Sequence, residues 1–376
     1  MGNRTSWRIA AAAGAAAIVC VVGSTPVQAS VPLRYSTSFT ASGWFKQNCP
    51  PRGSQDFAGG NLEAIGVQTS ADIGSWQYAY PAGNTWSGPS PVGILPPSDP
   101  PASPQLIITA SCASHLVVYR GQASGGLFFL SGYSVTPTLV TSTKTVGSPA
   151  FVESDYGDGG GARLEVVAPL ATGGLSHWST SAGSPGSPWT FDEHFAGEEK
   201  YDAVAMIESS WGHLEVIART TGGNLHEWYE QAGVWYDDGL MVADGSTISD
   251  ISGPPGLIQS TYGATSIDPK TIGNFELVTP LASGGVAEWW RDNNTAGFPW
   301  HINRIADQGA WKSLNPPVFV PHHYTNAAII EDNRGFAGGI YYVVGQTTGE
   351  VNGWSDVTLT PLPNTKPGFS GLWPGY

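Results

Sequence analysis

Four glutamates recur at one position of a repeated pattern: Glu63, Glu165, Glu215 and Glu276. A second polar position recurs as His177, Glu227 and Glu288, and indoles stand close by in the chain at Trp86, Trp189, Trp235 and Trp300. Carboxylates accept paired hydroxyls, and an aromatic face stacks on the C–H face of a sugar ring, so this set suits recognition of a polyhydroxylated ligand. It suits bond cleavage less. Glycoside hydrolysis needs two carboxyls at a defined separation, and no motif in this chain singles out such a pair. The candidate contacts are therefore His177, Trp189, Glu227, Tyr229, Trp235, Glu288, Trp290, Arg291 and Trp300.

Strands must carry these residues. Gly212-His213-Leu214-Glu215-Val216-Ile217-Ala218-Arg219 alternates apolar and polar residues, Gly222-Gly223-Asn224 supplies a tight turn, and Leu225-His226-Glu227-Trp228-Tyr229 returns. The pattern is written six times. Its first anchors are Leu62, Leu116, Leu164, Leu214, Phe275 and Ile340; eleven residues after each stands Ile73, Leu127, Leu175, Leu225, Val286 or Val351. Three residues further come Trp76, Leu130, Trp178, Trp228, Trp289 and Trp354. Copies start 48 to 65 residues apart, a spacing that suits propeller blades. The third, fourth and fifth copies each read as four strands, for example Ala150-Phe151-Val152-Glu153, Leu164-Glu165-Val166-Val167, Leu175-Ser176-His177-Trp178 and Trp189-Thr190-Phe191. An all-β propeller of six four-stranded blades is expected, or seven if the terminal segments build another. Residues 30–58 are expected to add an outer or closing strand, and Pro96-Pro97-Ser98-Asp99-Pro100-Pro101 leads into Leu106-Ile107-Ile108 as the innermost strand of the second copy.

Arg4 and Arg8, the apolar run from Ile9 to Val22 and Val27-Gln28-Ala29 read as an export signal over residues 1–29. A lipid anchor at Cys20 is the rival reading, although Ala17-Ile18-Val19 lacks a small residue just before it. The rest, 30–376, reads as one propeller domain that is secreted. No later segment has the apolar length of a membrane span. Formal charge is −14, and −16 without the two leader arginines, the wrong sign for a nucleic-acid or anionic-lipid binder. Cys49 and Cys112 remain and are expected to pair in an oxidising compartment, worth roughly 4 kcal/mol by loop entropy.

Each repeated feature has a structural reading beside the binding one. The indoles at Trp76, Trp178, Trp228, Trp289 and Trp354 are expected to fill the gaps between blades. The repeated glutamate is expected to bond backbone N–H groups or a partner across blades, with sugar hydroxyls as the alternative. Ser154-Asp155-Tyr156-Gly157, Ser209-Ser210-Trp211-Gly212 and Ser260-Thr261-Tyr262-Gly263 each place an aromatic before glycine, either as a rim contact or as a lid on the blade edge. The sialidase repeat Ser-x-Asp-x-Gly-x-Thr-Trp finds only Gly83-Asn84-Thr85-Trp86, with Pro81 in the aspartate's place. There is no Gly-x-Ser-x-Gly elbow and no His-Glu-x-x-His pair. No cofactor or metal is expected: His322-His323 are adjacent rather than spaced for one ion, and only Asp155 and Asp158 are spaced for calcium.

Gly273-Asn274-Phe275-Glu276-Leu277-Val278-Thr279-Pro280 and Gly284-Gly285-Val286-Ala287-Glu288-Trp289-Trp290-Arg291-Asp292-Asn293 resemble blades of secreted microbial propeller lectins, including the fucose-lectin-like group. Sites between blades in that group use an arginine, a glutamate and an aromatic. By that resemblance Glu227 with Trp235, and Glu288 with Trp300, stand for the glutamate and aromatic. Glu215 or Glu276 takes the arginine's place on the second strand. The resemblance implies a non-catalytic protein with several shallow glycan sites between blades, glycans being its partners. An extracellular glycoside hydrolase and a protein-interaction scaffold are the alternatives.

Overall fold

Alternating apolar residues broken by Gly and Pro make short strands, and the anchors mark where those strands begin. The computed structural model describes residues 37–41, 62–67, 73–79, 85–92, 98–99, 101–108, 115–131, 136–155, 162–184, 186–260, 273–306, 310–312, 318–320, 324–332, 339–346, 351–355 and 359–361. Among them there is no helix, and each anchor lies within one residue of the start of a second or third strand. Cys49, Cys112, Asp158, His322, His323 and the leader lie outside the described residues.

Among the described residues seven sheets form, six of them blades that follow one another in sequence order with antiparallel neighbours along each four-stranded core. Blade 1 is Thr37–Ala41, Leu62–Val67, Ile73–Ala79 and Thr85–Pro91; blade 2 is Pro101–Ile108, His115–Gly121, Leu127–Ser131 and Thr138–Thr141. Blade 3 is Ala150–Ser154, Arg163–Pro169, Leu175–Ser181 and Thr190–Phe195; blade 4 is Tyr201–Glu208, Leu214–Thr220, Leu225–Gln231 and Val234–Leu240. Blade 5 is Gly256–Gln259, Phe275–Pro280, Val286–Arg291 and Trp300–Ala306, widened at its outer edge by Val242–Ala243 and Ser246–Thr247. Blade 6 is Tyr324–Asp332, Gly339–Gln346, Val351–Ser355 and Leu359–Pro361, preceded by a separate hairpin of Ala310–Lys312 and Val318–Val320.

The first strands touch one another in ring order, blade 1 to blade 2 and onward to blade 6, and Tyr324–Asp332 returns to Thr37–Ala41. This six-bladed propeller closes its ring through that contact. Thr37–Ala41 is thus the closing strand of the two the sequence suggested, but it is an inner strand paired with Leu62–Val67 rather than an outer one. The inner strand of blade 2 is also longer than Leu106-Ile107-Ile108. Its prolines are tolerated because one edge faces no ladder, and the pairing shifts between Ala102 and Gln105 beside Ser103, whose φ is 49°.

Each seam between blades carries its own core. Trp178 packs with Leu116, Val118, Leu127 and Phe129 of blade 2, Trp228 with Val167, Leu175 and Phe195 of blade 3, and Trp289 with Ile217, Leu225 and Met241 of blade 4. These repeated indoles are gap fillers. The hairpin glycines press on the connectors between blades: Ile251 N–H bonds Gly223 O at 3.1 Å, and a Cβ on Gly223, with φ +82°, would sit 3.1 Å from Ile251 O.

Blade 2 breaks the pattern by one residue. Leu214 pairs with Glu230 in blade 4, five residues past the third-strand anchor, whereas Leu116 pairs with Ser131, only four past it. A strand shifted by one residue turns every side chain to the other face. Leu116 and Val118 therefore face blade 3, on the side where blade 4 shows Glu215 and Ile217 to blade 5. The longer turn that compensates is held by Asp99, whose carboxylate accepts Ala123 N–H at 2.7 Å and Ser124 Oγ–H at 2.5 Å.

Candidate functional site

Strand alternation builds a recurrent slot at each seam. One blade contributes the glutamate position of its second strand and the residue two past its third-strand anchor. The following blade answers with the residue five past its own anchor, which alternation turns backwards, and with its fourth-strand indole.

Between blades 4 and 5 the slot holds Glu215, Glu227, Arg291 and Trp300, all buried. Arg291 Nη1 donates to Glu227 Oε1 at 2.5 Å, and Trp300 Nε1–H donates to Glu227 Oε2 at 2.9 Å. Arg291 Nε–H donates to Asn293 Oδ1 at 2.7 Å, and the guanidinium lies 3.8 Å above the Phe275 ring. Trp211 and Phe298 stand 5.5 Å from it and 5.6 Å from each other, so the loop aromatic before glycine is here a cover over the slot. Two acids face one arginine. Burial pushes Glu215 up to about 8, opposed by the nearby Arg291 charge, and pushes Glu227 upward against the same pull.

Between blades 3 and 4 the same positions hold Glu165, His177, Glu230 and Trp235. His177 Nε2 lies 2.9 Å from Glu165 Oε2, its Nδ1 lies 3.7 Å from Glu230 Oε2, and its ring meets Trp235 edge-on at 5.7 Å. Asp192 and Arg163 complete this cluster at its outer side. Between blades 2 and 3 the slip leaves Thr180 as the polar member of an otherwise apolar slot, where Phe129 and Trp189 meet at 5.5 Å under Leu116.

At Glu215 the repeated glutamate faces Arg291 across the seam, one of the two kinds of partner expected of it, and at Glu165, Glu215 and Glu276 it also has a partner in its own blade. It accepts from a serine that ends its own blade's inner strand, Ser154 to Glu165 at 3.0 Å and Ser260 to Glu276 at 3.1 Å, with Ser209 serving Glu215. The inner strand passes directly beside the second, so a hydroxyl there satisfies the buried carboxyl with the shortest reach.

The structure thus brings Glu227, Arg291 and Trp300 together in one slot and His177 with Trp235 in another. Tyr229 shares Glu227's face two residues on, half-buried and stacked on Tyr236 at 5.1 Å, while Trp290 meets His301 at 4.6 Å with the rings tilted by 33°. Glu288 is buried and faces blade 6, whose partner residues are not among those described. Trp189 belongs to the apolar seam. Glu230 and Asp192 escaped the sequence reading, though Glu230 had a signal: it occupies the alternate face five residues past Leu225, as Arg291 does past Val286. Among the described residues, Glu165, His177 and Asp192 are the group whose ligand atoms converge closely enough for a metal.

The inner strands also enclose a cavity of about 690 Å³ lined by Leu106, Phe151, Met206 and Leu257, with Glu153, Asp155 and Glu208 among its polar groups. Asp155 N–H bonds both Glu208 carboxyl oxygens, at 3.1 and 3.2 Å, and burial with the Asp155 charge pushes Glu208 up to about 8.

No family model matches the chain, and no curated protein matches it by sequence. Solved structures do. The fucose-specific lectin from Aleuria aurantia superposes with a TM-score of 0.57 at 12% identity, over 90% of this chain and 99% of that one. AofleA from Arthrobotrys oligospora gives 0.55 at 11% identity, over 92% and 87%. SapL1 lectin in complex with α-methyl fucoside gives 0.53 at 14% identity, over 88% and 98%. The chain therefore shares the fold of six-bladed propeller lectins.

Proposed function

We propose that this chain is a secreted, non-catalytic carbohydrate-binding propeller with glycan sites in the slots between blades. The observation that carries the reading is the slot between blades 4 and 5, where a carboxylate, a guanidinium and an indole converge from two neighbouring blades. A carboxylate beside a guanidinium offers acceptors and donors to adjacent sugar hydroxyls, and half-buried Tyr229 lies on the same face for stacking. The likeness in fold to lectins named for fucose supports a sugar of that kind as first probe. Several modest sites on one rigid ring gain avidity on a glycan surface. Residues 30–376 are to be tested on a glycan array and titrated with α-methyl fucoside. Binding should fall in Glu227→Ala and Trp235→Ala; an array without signal, or binding that survives Glu227→Ala with Glu288→Ala and Trp235→Ala, rejects the assignment.

The carboxyls of the central cavity favour one second reading, an extracellular glycoside hydrolase. Glu208, pushed up to about 8 by burial, is suited to donate a proton, with the carboxyl of Asp155 or Glu153 as the second group. Turnover of chromogenic glycosides that disappears in Glu208→Gln would establish it; no turnover across the panel would dismiss it.

A further inference from the structure

The slots between blades 3 and 4 and between blades 4 and 5 have the same frame and opposite charge at one position. Where blade 5 turns Arg291 back toward two acids, blade 4 turns back Glu230. The earlier slot therefore gathers three carboxyls, Glu165, Asp192 and Glu230, around one imidazole, with Arg163 as the cation within reach.

We propose that Glu165, His177 and Asp192 form a divalent-metal site of the zinc type. Glu165 Oε2 and Asp192 Oδ2 lie 2.9 and 4.0 Å from His177 Nε2, and all three ligand atoms fall within 4.8 Å of one another. Zinc holds nitrogen and oxygen ligands at about 2.0–2.2 Å in a tetrahedron, which sets neighbouring ligand atoms about 3.4 Å apart. The observed separations straddle that value, so small rotations of Glu165 and Asp192 suffice. The surroundings also fit. Glu230 faces the other ring nitrogen, the place where a carboxylate orients a metal-bound histidine. Ser154 holds Glu165, and Trp235 packs edge-on against the imidazole, fixing two ligands before any ion arrives.

Asp192 is 26% exposed and opens the site to solvent, with the fourth coordination position left for water. The ion takes the neutral imidazole at its Nε2 lone pair, and the single ring proton then sits on Nδ1, facing Glu230. Arg163 is the competitor: it lies 3.1 Å from Glu165 Oε1 and 3.6 Å from Asp192 Oδ2, and its side chain, 36% exposed, is free to turn outward when the ion takes over its charge.

The test is a cobalt(II) titration of residues 30–376 after chelator treatment and dialysis, followed by the visible d–d band of tetrahedral cobalt and by displacement with zinc. One equivalent should bind. His177→Gln should abolish the band and Asp192→Asn should weaken binding by about 10-fold or more, while Arg163→Met should tighten it because a competing cation is gone. Asp192 sits on an outer strand, so its variant reports even if His177→Gln fails to fold. No cobalt band, or an unchanged band in a folded Asp192→Asn or His177→Gln chain, overturns the proposal, and so does weaker binding in Arg163→Met. The readout uses no sugar, so its failure leaves the carbohydrate reading untouched.

Discussion

The Glu227–Arg291 pair invites the sharpest test, because both side chains are at most 6% exposed and their residues stand 64 positions apart in the chain. Arg291→Met removes the guanidinium without emptying the seam, since the methionine stem still covers Phe275. Glu227 is then left with the Trp300 N–H, beside Glu215, in a buried slot. Stranding one member of a buried ion pair costs about 3–5 kcal/mol. That cost is greatest when Glu227 must stay ionised. At pH 5 a proton can neutralise the carboxyl, so the penalty should shrink by about 1 kcal/mol or more relative to pH 8. Glu227→Gln strands the arginine instead, and the double variant strands nothing. Its loss should fall short of the sum of the singles by about 2 kcal/mol or more, well beyond the roughly 0.5 kcal/mol scatter of independent sites. Urea midpoints followed by tryptophan fluorescence are the assay, since urea leaves ion pairs unscreened. Additive single effects, or an Arg291→Met loss under about 1 kcal/mol that ignores pH, would refute the view that this seam is closed by a buried charge pair.

Further outcomes follow from the same geometry. Glu215 binds its proton more tightly folded than unfolded, so the protein should lose stability as pH rises from the ordinary carboxylate range toward 8. Glu215→Gln should flatten that slope and gain up to about 4 kcal/mol at pH 8, read from melting temperatures across pH; an unchanged slope would contradict it. Gly147, with φ +58°, would place a Cβ 1.6 Å from Asp202 O, so Gly147→Ala should cost about 2 kcal/mol or more in thermal unfolding. Trp228→Ala should cost about 3–5 kcal/mol yet leave glycan affinity unchanged, separating the gap-filling indoles from those proposed to meet a ligand.

The blade pattern was legible because it is local. Alternation at Leu214, Val216 and Ala218 and the glycine at 223 depend on neighbours a few residues away, and six copies placed each second and third strand where the anchors predicted. The same periodicity separated Glu227 from Trp228 onto opposite faces. It did not disclose the turn residue that slips blade 2, since Leu116 keeps the eleven-residue spacing while its pairing to Ser131 differs. A hidden one-residue change in a hairpin is settled by which ladder forms, and only the sheet records that.

The candidate slots divide along the same line. The sequence alone determined the strands, the repeat, the acidic and indole positions and their faces. Which residue of the next blade would answer them was decided by the ring: Arg291 meets Glu227 and Glu230 meets His177 because packing brings the alternate face of one sheet against its neighbour. Local alternation carries no information about a partner 64 residues away. Charge balance in each slot therefore exists only once two blades have closed on one another.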